Sequence, residues 1–521
     1  MNSLPTAVHR TASTRARGAV RVHFTHGLGD CAFFAHQLPL YVRRGYSVAV
    51  VCTADKHIVF ADSGVEVSSE TAGASAIPWH EGLTPTHEAD WNNFWRWSKG
   101  GRNISVSPMP NIGTAKELWE EYCAVRLDVL PHLPATARHA AGVWLSTLPR
   151  PIVLLHSHGN TGPERKNLDT PQCRRLYRRL LDETNGTIVL LDWDDRVPRC
   201  IHGRVRHLAD DWALIDTATL LAVMAQADLL IGVDSGPLHA ARLVHIPAIG
   251  VWAHGGSPVT WTLPHPNQLN VVMSRERPSW YARSRAPYHS VAVTDDESAM
   301  DQLAVLASWM LAPPRYLDRT HLAADVQLQW FVRQQMRGGE SALGGYVDRH
   351  RSFDLLLRQL SERFSRAHIV ETGCIRAEDD FEGAGFSTYV FGAYLQRRGG
   401  RLMSVDNDPN HCAFARQWTR CFGNAVEVCL ADSVAHLKGG SEPIDLLYLD
   451  SLDADQTRCA EHGLAEIQAA YPRLRGRSLC ACDDTPYAAG QFRGKGALAV
   501  PWLIERGWRV LYTGHQTVLS L

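Results

Sequence analysis

The sequence predicts an α/β protein in which three parallel-sheet units follow one another along a chain of 521 residues. Apolar, β-branched runs alternate with helical patterns nearly throughout, which is typical of parallel sheets covered by helices. The order strand, glycine turn, helix begins at residues 19–30 and again at 151–160. A third series of strands spans residues 367–484, and two final β-rich runs joined by Thr513 and Gly514 indicate a hairpin. We therefore expect two facing Rossmann-like domains, followed by a third Rossmann-like domain with a C-terminal antiparallel hairpin.

Changes of composition along the chain give the predicted domain boundaries. The start is basic, rich in Ser and Thr and free of acids, and it lacks the apolar region of a secretory signal. Residues 1–18 are predicted to be a disordered tail, and a transit peptide is the alternative. The first Rossmann-like domain is expected over 19–148 and the second over 149–313. The third is expected over 314–521, where a helical segment precedes the strands. The tryptophan-rich segment 73–135 has no regular pattern.

Composition and charge exclude several classes of function. The hydrophobic content of 45% and the charged content of 21% are those of a globular protein. A net charge of -1 gives no electrostatic reason to expect a nucleic acid or membrane-surface partner. No apolar stretch has the length of a membrane span. The 12 cysteines are scattered without a C-x-x-C pair, which favours reduced, buried thiols and a cytoplasmic location.

The first predicted strand leads into H-G-L-G-D at residues 26–30. Glycines between a strand and a helix permit a tight turn and a close approach of the backbone to a ligand. Asp30 then lies in the first turn of the helix, at the edge where open parallel sheets bind ligands. The alternative is that Asp30 only caps the helix. The spacing is not G-x-G-x-x-G, so a dinucleotide fingerprint is not supported.

A loop of the second domain, residues 156–168, carries two cations. Arg165 and Lys166 have the right chemistry to bind a diphosphate. Thr161 and Asn167 would add neutral hydrogen-bond donors. A solvated basic loop is the alternative.

A second polar strand end in the same domain reads I-G-V-D-S-G-P-L-H, residues 231–239. The backbone N–H groups of Ser235 and Gly236, at the start of a helix, would favour a phosphate or a nucleotide hydroxyl. The alternative is an ordinary helix start, with Asp234 as its N-cap and His239 packed beneath.

Together these motifs resemble the bacterial heptosyltransferases, a glycosyltransferase family with the GT-B fold, over residues 19–312. The most specific feature is D-S-G-P-L-H-A-A before an I-P-x-x-G-V-W strand. The resemblance implies inverting transfer of a sugar from a nucleotide-diphosphate donor to an unknown acceptor, a saccharide or a natural product. It implies a general base at Asp30, donor-phosphate contacts at Thr161 and Lys166, and a donor-binding strand end at Asp234, Ser235, Gly236 and His239.

Polar residues also end the strands of the third domain. An acid at the tip of its second strand, Asp406, is placed to bind both hydroxyls of a ribose. The series of strand ends and the terminal hairpin resemble the class I S-adenosylmethionine-dependent methyltransferases over residues 345–521. The resemblance implies that S-adenosylmethionine is the cofactor and that its site is lined by Glu371, Gly373, Asp406, Asp432 and Ser433.

Three further acids end the next two strands, Asp450 on the fourth and Asp483 with Asp484 on the fifth. Adjacent parallel strands bring such carboxylates together, at an electrostatic cost that a cation or protons must offset. The arrangement resembles the metal-dependent O-methyltransferases, which implies that these acids bind Mg²⁺; helix caps and loop acids are the alternative. His462 and His515 are candidate bases, and we take His462 as the catalytic candidate, although a lone histidine is more often structural.

The sequence therefore predicts a bifunctional enzyme that transfers a sugar and methylates the sugar or the acceptor with S-adenosylmethionine. One alternative keeps glycosyl transfer and treats the third domain as a degenerate or regulatory cofactor-binding domain. Another is a non-catalytic scaffold with inherited folds. The nucleotide, the sugar, the acceptor and the oligomeric state stay open.

Overall fold

In the computed structural model the chain divides into two compact units, residues 1–275 with 293–311 and residues 276–292 with 312–521. The predicted tail before residue 18 and most of the tryptophan-rich segment lie outside the described residues. The structure describes residues 18–24, 27–36, 38–61, 63–69, 104–106, 131–160, 162–253, 258, 262, 265–274, 289–294, 298–312, 322–335, 348–377 and 386–521.

A small sheet opens the first unit. Its elements are strands β1 (Gly18–Phe24), β2 (Tyr46–Cys52), β3 (Glu66–Ser69) and β4 (Ile104–Val106), with helices α1 (Leu28–Ala35), α2 (Leu38–Arg43) and α3 (His57–Phe60). The strand order is β3-β2-β1-β4. The first three strands are parallel, and β4 runs antiparallel to β1. The sheet thus sends the loop after β1 into α1, the helix that carries Asp30.

A seven-stranded sheet follows, in the order β11-β10-β9-β8-β5-β6-β7. Its strands are β5 (Ile152–His156), β6 (Thr187–Leu190), β7 (Val205–His207), β8 (Leu229–Val233), β9 (Ala248–Trp252), β10 (Gln268–Ser274) and β11 (His289–Thr294). Its helices are α4 (Ala135–Ser146), α5 (Pro163–Lys166), α6 (Thr170–Glu183), α7 (Leu208–Asp211), α8 (Thr217–Met224), α9 (Gly236–Ala241) and α10 (Ala299–Leu311). Every residue of β5, β8 and β9 is buried, as expected for parallel strands covered on both faces.

The direction in which successive strands are added to this sheet reverses between β5 and β8. These strands are parallel neighbours, although two strands separate them in the sequence. Open α/β sheets bind ligands in the crevice outside the carboxyl ends of strands at such a switch point. The loop after β5 and the Asp234 strand end after β8 both lie there.

The third sheet has the order β14-β13-β12-β15-β16-β20-β19. Its strands are β12 (Ala367–Thr372), β13 (Gly400–Asp406), β14 (Val426–Leu430), β15 (Ile444–Leu449), β16 (Leu474–Cys482), β19 (Arg509–Thr513) and β20 (Thr517–Ser520), and a separate pair consists of β17 (Tyr487–Ala488) and β18 (Gln491–Phe492). The helices are α11 (Leu322–Trp330), α12 (Arg349–Arg363), α13 (Ser387–Arg398), α14 (Pro409–Thr419), α15 (Ser433–Gly439), α16 (Cys459–Ala470) and α17 (Ala499–Ile504). β20 runs antiparallel to both β16 and β19, so the terminal hairpin is confirmed.

Apolar clusters cover the sheets and confirm the predicted fold class. One buried cluster joins residues of the first two sheets, and two others lie in the third sheet's domain. Parallel α/β sheets and the C-terminal antiparallel hairpin are therefore both present. None of the helices in the described part of the chain has the length and apolar character that a membrane crossing needs.

Candidate active sites

Lys166, Asp234 and His239 meet at the switch point of the second sheet. The Nζ atom of Lys166 lies 2.8 Å from Oδ2 of Asp234, and Nε2 of His239 lies 3.0 Å from Oδ1. Burial disfavours the charged form of Asp234, but His239 and Lys166 outweigh it and lower the pKa of Asp234 to about 2. The carboxylate is therefore ionised at neutral pH and holds the ammonium in place. The Lys166 side chain stays 28% exposed, so a ligand can reach it.

Ser235 contacts His156, a residue that the sequence analysis did not single out. The Nδ1 atom of His156 lies 2.7 Å from Oγ of Ser235, and the histidine ring stacks on Trp193 with centroids 5.1 Å apart. Nearly complete burial lowers the pKa of His156 to about 3. The ring is therefore neutral at physiological pH and orients the serine rather than binding an anion by charge. In the sequence, a histidine that orients a neighbour looks the same as one that only packs.

Helices α1 and α9 approach each other through two glycines. A Cβ atom at Gly29 would lie 3.0 Å from Cδ2 of His239 and 3.1 Å from Cα of Gly236. A larger residue would push the two helices apart. Asp30 follows Gly29 in the first turn of α1. The approach therefore places the turn that carries Asp30 beside the strand end that carries Asp234.

Arg165 and Asn167, which are also predicted to contact the nucleotide-sugar donor, have other partners. Arg165 is exposed, and its Nε lies 3.4 Å from Oε1 of the equally exposed Glu164. Asn167 accepts a hydrogen bond from the backbone N–H of Gly159 at 2.8 Å, which closes the loop between β5 and α5. The prediction that these two residues contact a donor stays a prediction, and Thr161 lies outside the described residues.

Glu371 is buried at the end of β12. Its Oε2 accepts hydrogen bonds from Oγ1 of Thr388 at 2.7 Å and from Oγ of Ser404 at 2.6 Å. Burial raises the pKa of Glu371 to about 7, although these hydroxyls favour the charged form. The two hydrogen bonds of Glu371 join β12 to α13 and β13 at the edge where a cofactor site is predicted.

The raised pKa of Glu371 predicts a pH dependence of stability. Folding raises this pKa from 4.5 to about 7, so the folded state binds more protons than the unfolded state in this window, and the free energy of unfolding should fall as the pH rises through it. The loss should be about 3 kcal/mol. Urea unfolding between pH 4.5 and 7 should therefore show a shallower pH slope in Glu371→Gln. Glu427→Gln, at an exposed site on β14, is the control; equal slopes in the wild type and Glu371→Gln would refute the assignment.

Gly373 and Asp406 form the junction between the ends of β12 and β13. Gly373 has a φ of +83°, and a Cβ atom there would lie 2.2 Å from the carbonyl oxygen of Asp450. Asp406 accepts hydrogen bonds from the backbone N–H groups of Cys374 at 3.2 Å and Asp408 at 2.8 Å. The structure thus brings the glycine loop and the acid of the second strand together at the switch point between β12 and β15.

Asp432, Ser433 and His462 have local partners. Asp432 caps α15 by accepting a hydrogen bond from the backbone N–H of Ala435 at 2.8 Å. The Nε2 atom of His462 lies 3.2 Å from Oγ of Ser433 and 3.2 Å from Oε1 of the buried Glu466. The hydrogen bond with Glu466 raises the pKa of His462. The Nε2 atom of His462 thus lies against residues of its own domain, and its role as a base stays a prediction.

The predicted acidic cluster does form, and it surrounds a lysine. The Nζ atom of Lys495 lies 3.0 Å from Oδ2 of Asp484 and 2.5 Å from Oδ1 of Asp450. Burial disfavours the ammonium, but the carboxylates of Asp450, Asp484 and Asp483 outweigh it and raise the pKa of Lys495. Lys495 is therefore a fixed cation among the three acids.

A second protein cation compensates Asp483. Arg349 donates to it through Nε at 3.0 Å and through Nη2 at 2.7 Å, and Nε2 of Gln516 donates to it at 2.7 Å. Arg349 is 1% exposed and Asp483 is fully buried. The neighbouring Asp484 has a φ of +43°, rare for a residue other than glycine, and its Oδ1 lies 2.9 Å from Nε2 of His515.

These contacts do not fit the predicted magnesium site. Mg²⁺ needs nearly octahedral oxygen ligands at about 2.0–2.1 Å. Both carboxylate oxygens of Asp483 already accept hydrogen bonds from Arg349, and Lys495 lies between Asp450 and Asp484. The charge compensation that the sequence analysis assigned to a metal is supplied by the protein itself.

Sequence reasoning missed both of these cations. Arg349 lies 134 residues before Asp483, and Lys495 lies 45 residues after Asp450. Neither belongs to a strand end, which is the pattern that identified the acids. The one available signal for Lys495 was its position in G-K-G, since glycines on both sides indicate a close approach of the backbone to another element.

Two family models match parts of the chain. The glycosyltransferase family 9 (heptosyltransferase) model matches residues 209–288, which include the Asp234 strand end. A methyltransferase domain model matches residues 382–485, which include Asp406 and the acidic strand ends. No curated protein matches the chain.

Solved structures also match parts of the chain. The glycosyl transferase family 9 from Veillonella parvula DSM 2008 is 11% identical, with 58% of this chain and 100% of that chain covered and a TM-score of 0.38. The iron-containing dodecameric glycosyltransferase TibC from enterotoxigenic E. coli H10407 is 12% identical, with coverages of 48% and 62% and a TM-score of 0.29. An rRNA methylase from Streptococcus thermophilus is 14% identical, with coverages of 33% and 94% and a TM-score of 0.23.

Each matched segment contains part of one of the two regions in which polar side chains converge at a sheet edge. The two family matches support an enzyme that combines a glycosyltransferase with a methyltransferase module.

Proposed function

We propose that this protein transfers a sugar from a nucleotide-diphosphate donor to an acceptor hydroxyl, and that it methylates the sugar or the acceptor with S-adenosylmethionine. The observation that carries the first activity is the contact of Gly29 with Gly236, which brings the Asp30 turn next to the strand end whose Asp234 binds Lys166. Glycosyl transfer needs a base for the acceptor hydroxyl and a cation for the departing diphosphate, and Asp30 and Lys166 have these two chemistries.

In the proposed transfer, Asp30 takes the proton of the acceptor hydroxyl. The acceptor oxygen forms a bond to the anomeric carbon while the bond from that carbon to the donor diphosphate breaks on the opposite face, which inverts the configuration. Lys166, held by Asp234 at 2.8 Å, would stabilise the departing diphosphate. Ser235 and Gly236, at the start of α9, would contribute backbone N–H groups to the donor.

Asp30→Asn should lower the rate of glycosyl transfer by about 100-fold or more, because a carboxamide cannot accept the proton. Binding of the nucleoside diphosphate, measured by calorimetry, should be unchanged, because Asp30 contributes to the acceptor side alone. The control is Glu66→Gln, an exposed acid on β3. Retention of the full transfer rate by Asp30→Asn would show that Asp30 is not the base.

In the second module, bound S-adenosylmethionine would supply the methyl group to a hydroxyl oxygen. We assign the cofactor site to Glu371, Gly373 and Asp406, because they meet at the switch point of the third sheet. We assign the proton acceptor to His515 in place of His462. Its Nε2 lies 2.9 Å from Oδ1 of Asp484, and neither ring nitrogen has a hydrogen-bond partner of good geometry among the described residues. The carboxylate would orient the ring for proton transfer.

A further inference from the structure

Lys495 occupies the position from which one cation can contact two of the converging carboxylates. Its Nζ lies 2.5 Å from Asp450 and 3.0 Å from Asp484, and the residue is 5% exposed. A divalent ion that bridged the same two oxygens would lie in contact with the ammonium and be repelled by it. The ammonium and such an ion therefore exclude each other.

The backbone around Lys495 fixes this ammonium. The residue lies in a short 3₁₀ turn, Gly494–Gly496. A Cβ atom at Gly463, on α16, would lie 2.3 Å from the carbonyl oxygen of Lys495. A Cβ atom at Gly496 would lie 2.4 Å from Cγ2 of Thr485, whose Oγ1 accepts the Gly496 N–H at 2.8 Å. Close packing on both sides prevents the turn from moving outward without disturbing α16 and the end of β16.

The other carboxylate oxygens of the cluster already face groups of the protein. Arg349 binds both oxygens of Asp483, and the second oxygen of Asp484 faces His515 at 2.9 Å. The carboxyl group of Asp450 is nearly enclosed, and its backbone packs against Gly373 at the predicted cofactor loop. The lysine thus lies next to the place where methyl transfer is proposed.

We propose that Lys495 is a built-in replacement for a divalent cation, so that this methyltransferase module works without a bound metal at its three-carboxylate edge. The part of this inference that concerns activity rests on the proposed methyl transfer. Lys495 is a positioning residue: it holds Asp450 and Asp484 in place, and through Asp484 it fixes His515.

The test is Mn²⁺ binding to the full-length chain, measured by electron paramagnetic resonance of the free ion. The wild type should bind no stoichiometric Mn²⁺ at the cluster. Lys495→Ala removes the ammonium and leaves two carboxylates and His515 around the vacated space, so its affinity for Mn²⁺ should rise by roughly 100-fold. The double variant Lys495→Ala with Asp484→Asn should lose the gained site, and Lys438→Ala, an exposed lysine on α15, should behave as the wild type.

Two outcomes would overturn the proposal. One is stoichiometric Mn²⁺ binding by the wild type that Asp484→Asn abolishes, a measurement that stands even if Lys495→Ala does not fold. The other is a folded Lys495→Ala variant that gains no Mn²⁺ site. Calorimetry with S-adenosylhomocysteine separates this question from the proposed function: absence of cofactor binding would refute methyl transfer, whereas the Mn²⁺ result alone decides the role of Lys495.

Discussion

Arg349→Met should lower the free energy of unfolding of the methyltransferase module by about 3–5 kcal/mol. The substitution keeps the unbranched apolar stem but removes the guanidinium group, and it leaves the fully buried Asp483 without its bidentate partner. A buried carboxylate without a countercharge lowers the stability of the folded state. Gln516 also donates to Asp483, but it is neutral and cannot replace the positive charge of Arg349. Urea unfolding of the full-length chain, followed by tryptophan fluorescence, measures the loss.

The double variant Arg349→Met with Asp483→Asn separates charge from packing. Removal of both charges should recover a large part of the lost stability, because burial of a neutral carboxamide costs less free energy than burial of a carboxylate. The surface pair Arg401 and Glu442 provides the matched control: both side chains are exposed, and Arg401→Met should cost no more than about 1 kcal/mol. A cost for Arg349→Met as small as that of the control would show that Asp483 does not depend on the arginine.

Gly373→Ala should abolish binding of S-adenosylhomocysteine and destabilise the methyltransferase module by several kcal/mol, roughly the sum of a steric clash and an unfavourable φ. The added Cβ would lie 2.2 Å from the carbonyl oxygen of Asp450, and the residue has a φ of +83°. Relief of the clash would require β12 and β15 to move apart at the predicted cofactor site, since Asp450 N–H also donates to Thr372 at 2.8 Å.

The matched control for this prediction is Gly476→Ala. A Cβ atom at Gly476 has no heavy atom within 4 Å, and its φ is not in the left-handed region. This variant should keep the stability and the cofactor affinity of the wild type. Calorimetry and urea unfolding of both variants give the comparison; normal cofactor binding by Gly373→Ala would place the cofactor elsewhere.

The sequence predicted the parts of the molecule that depend on short-range pattern. Buried β-branched strands followed by polar residues identified Asp234, Asp406 and Asp450, because parallel strands end at the same edge of a sheet. The pairing of Asp234 with Lys166 could also be anticipated, since both follow strands at one switch point.

The sequence could not predict contacts that tertiary packing alone creates. Arg349 comes from a helix before the third sheet and Lys495 from a turn between β18 and β19, so no local period links them to the acids that they compensate. Asp432 illustrates a different difficulty: an acid after a strand and before a helix can contact a ligand or cap the helix, and both roles have the same sequence pattern. The contact of His462 with Glu466, one helical turn later, was not anticipated from the sequence, and the role of His462 as a base stays a prediction.

The central proposal, two independent active sites in one chain, is tested most directly by calorimetry on the full-length protein with S-adenosylhomocysteine and with ADP, GDP and UDP in turn. The wild type should bind S-adenosylhomocysteine, and it should bind one of the nucleotides with the same affinity whether or not S-adenosylhomocysteine is present. Asp406→Asn should weaken only the former and Lys166→Ala only the latter. Failure of the wild type to bind S-adenosylhomocysteine, or loss of both ligands in either single variant, would contradict the account.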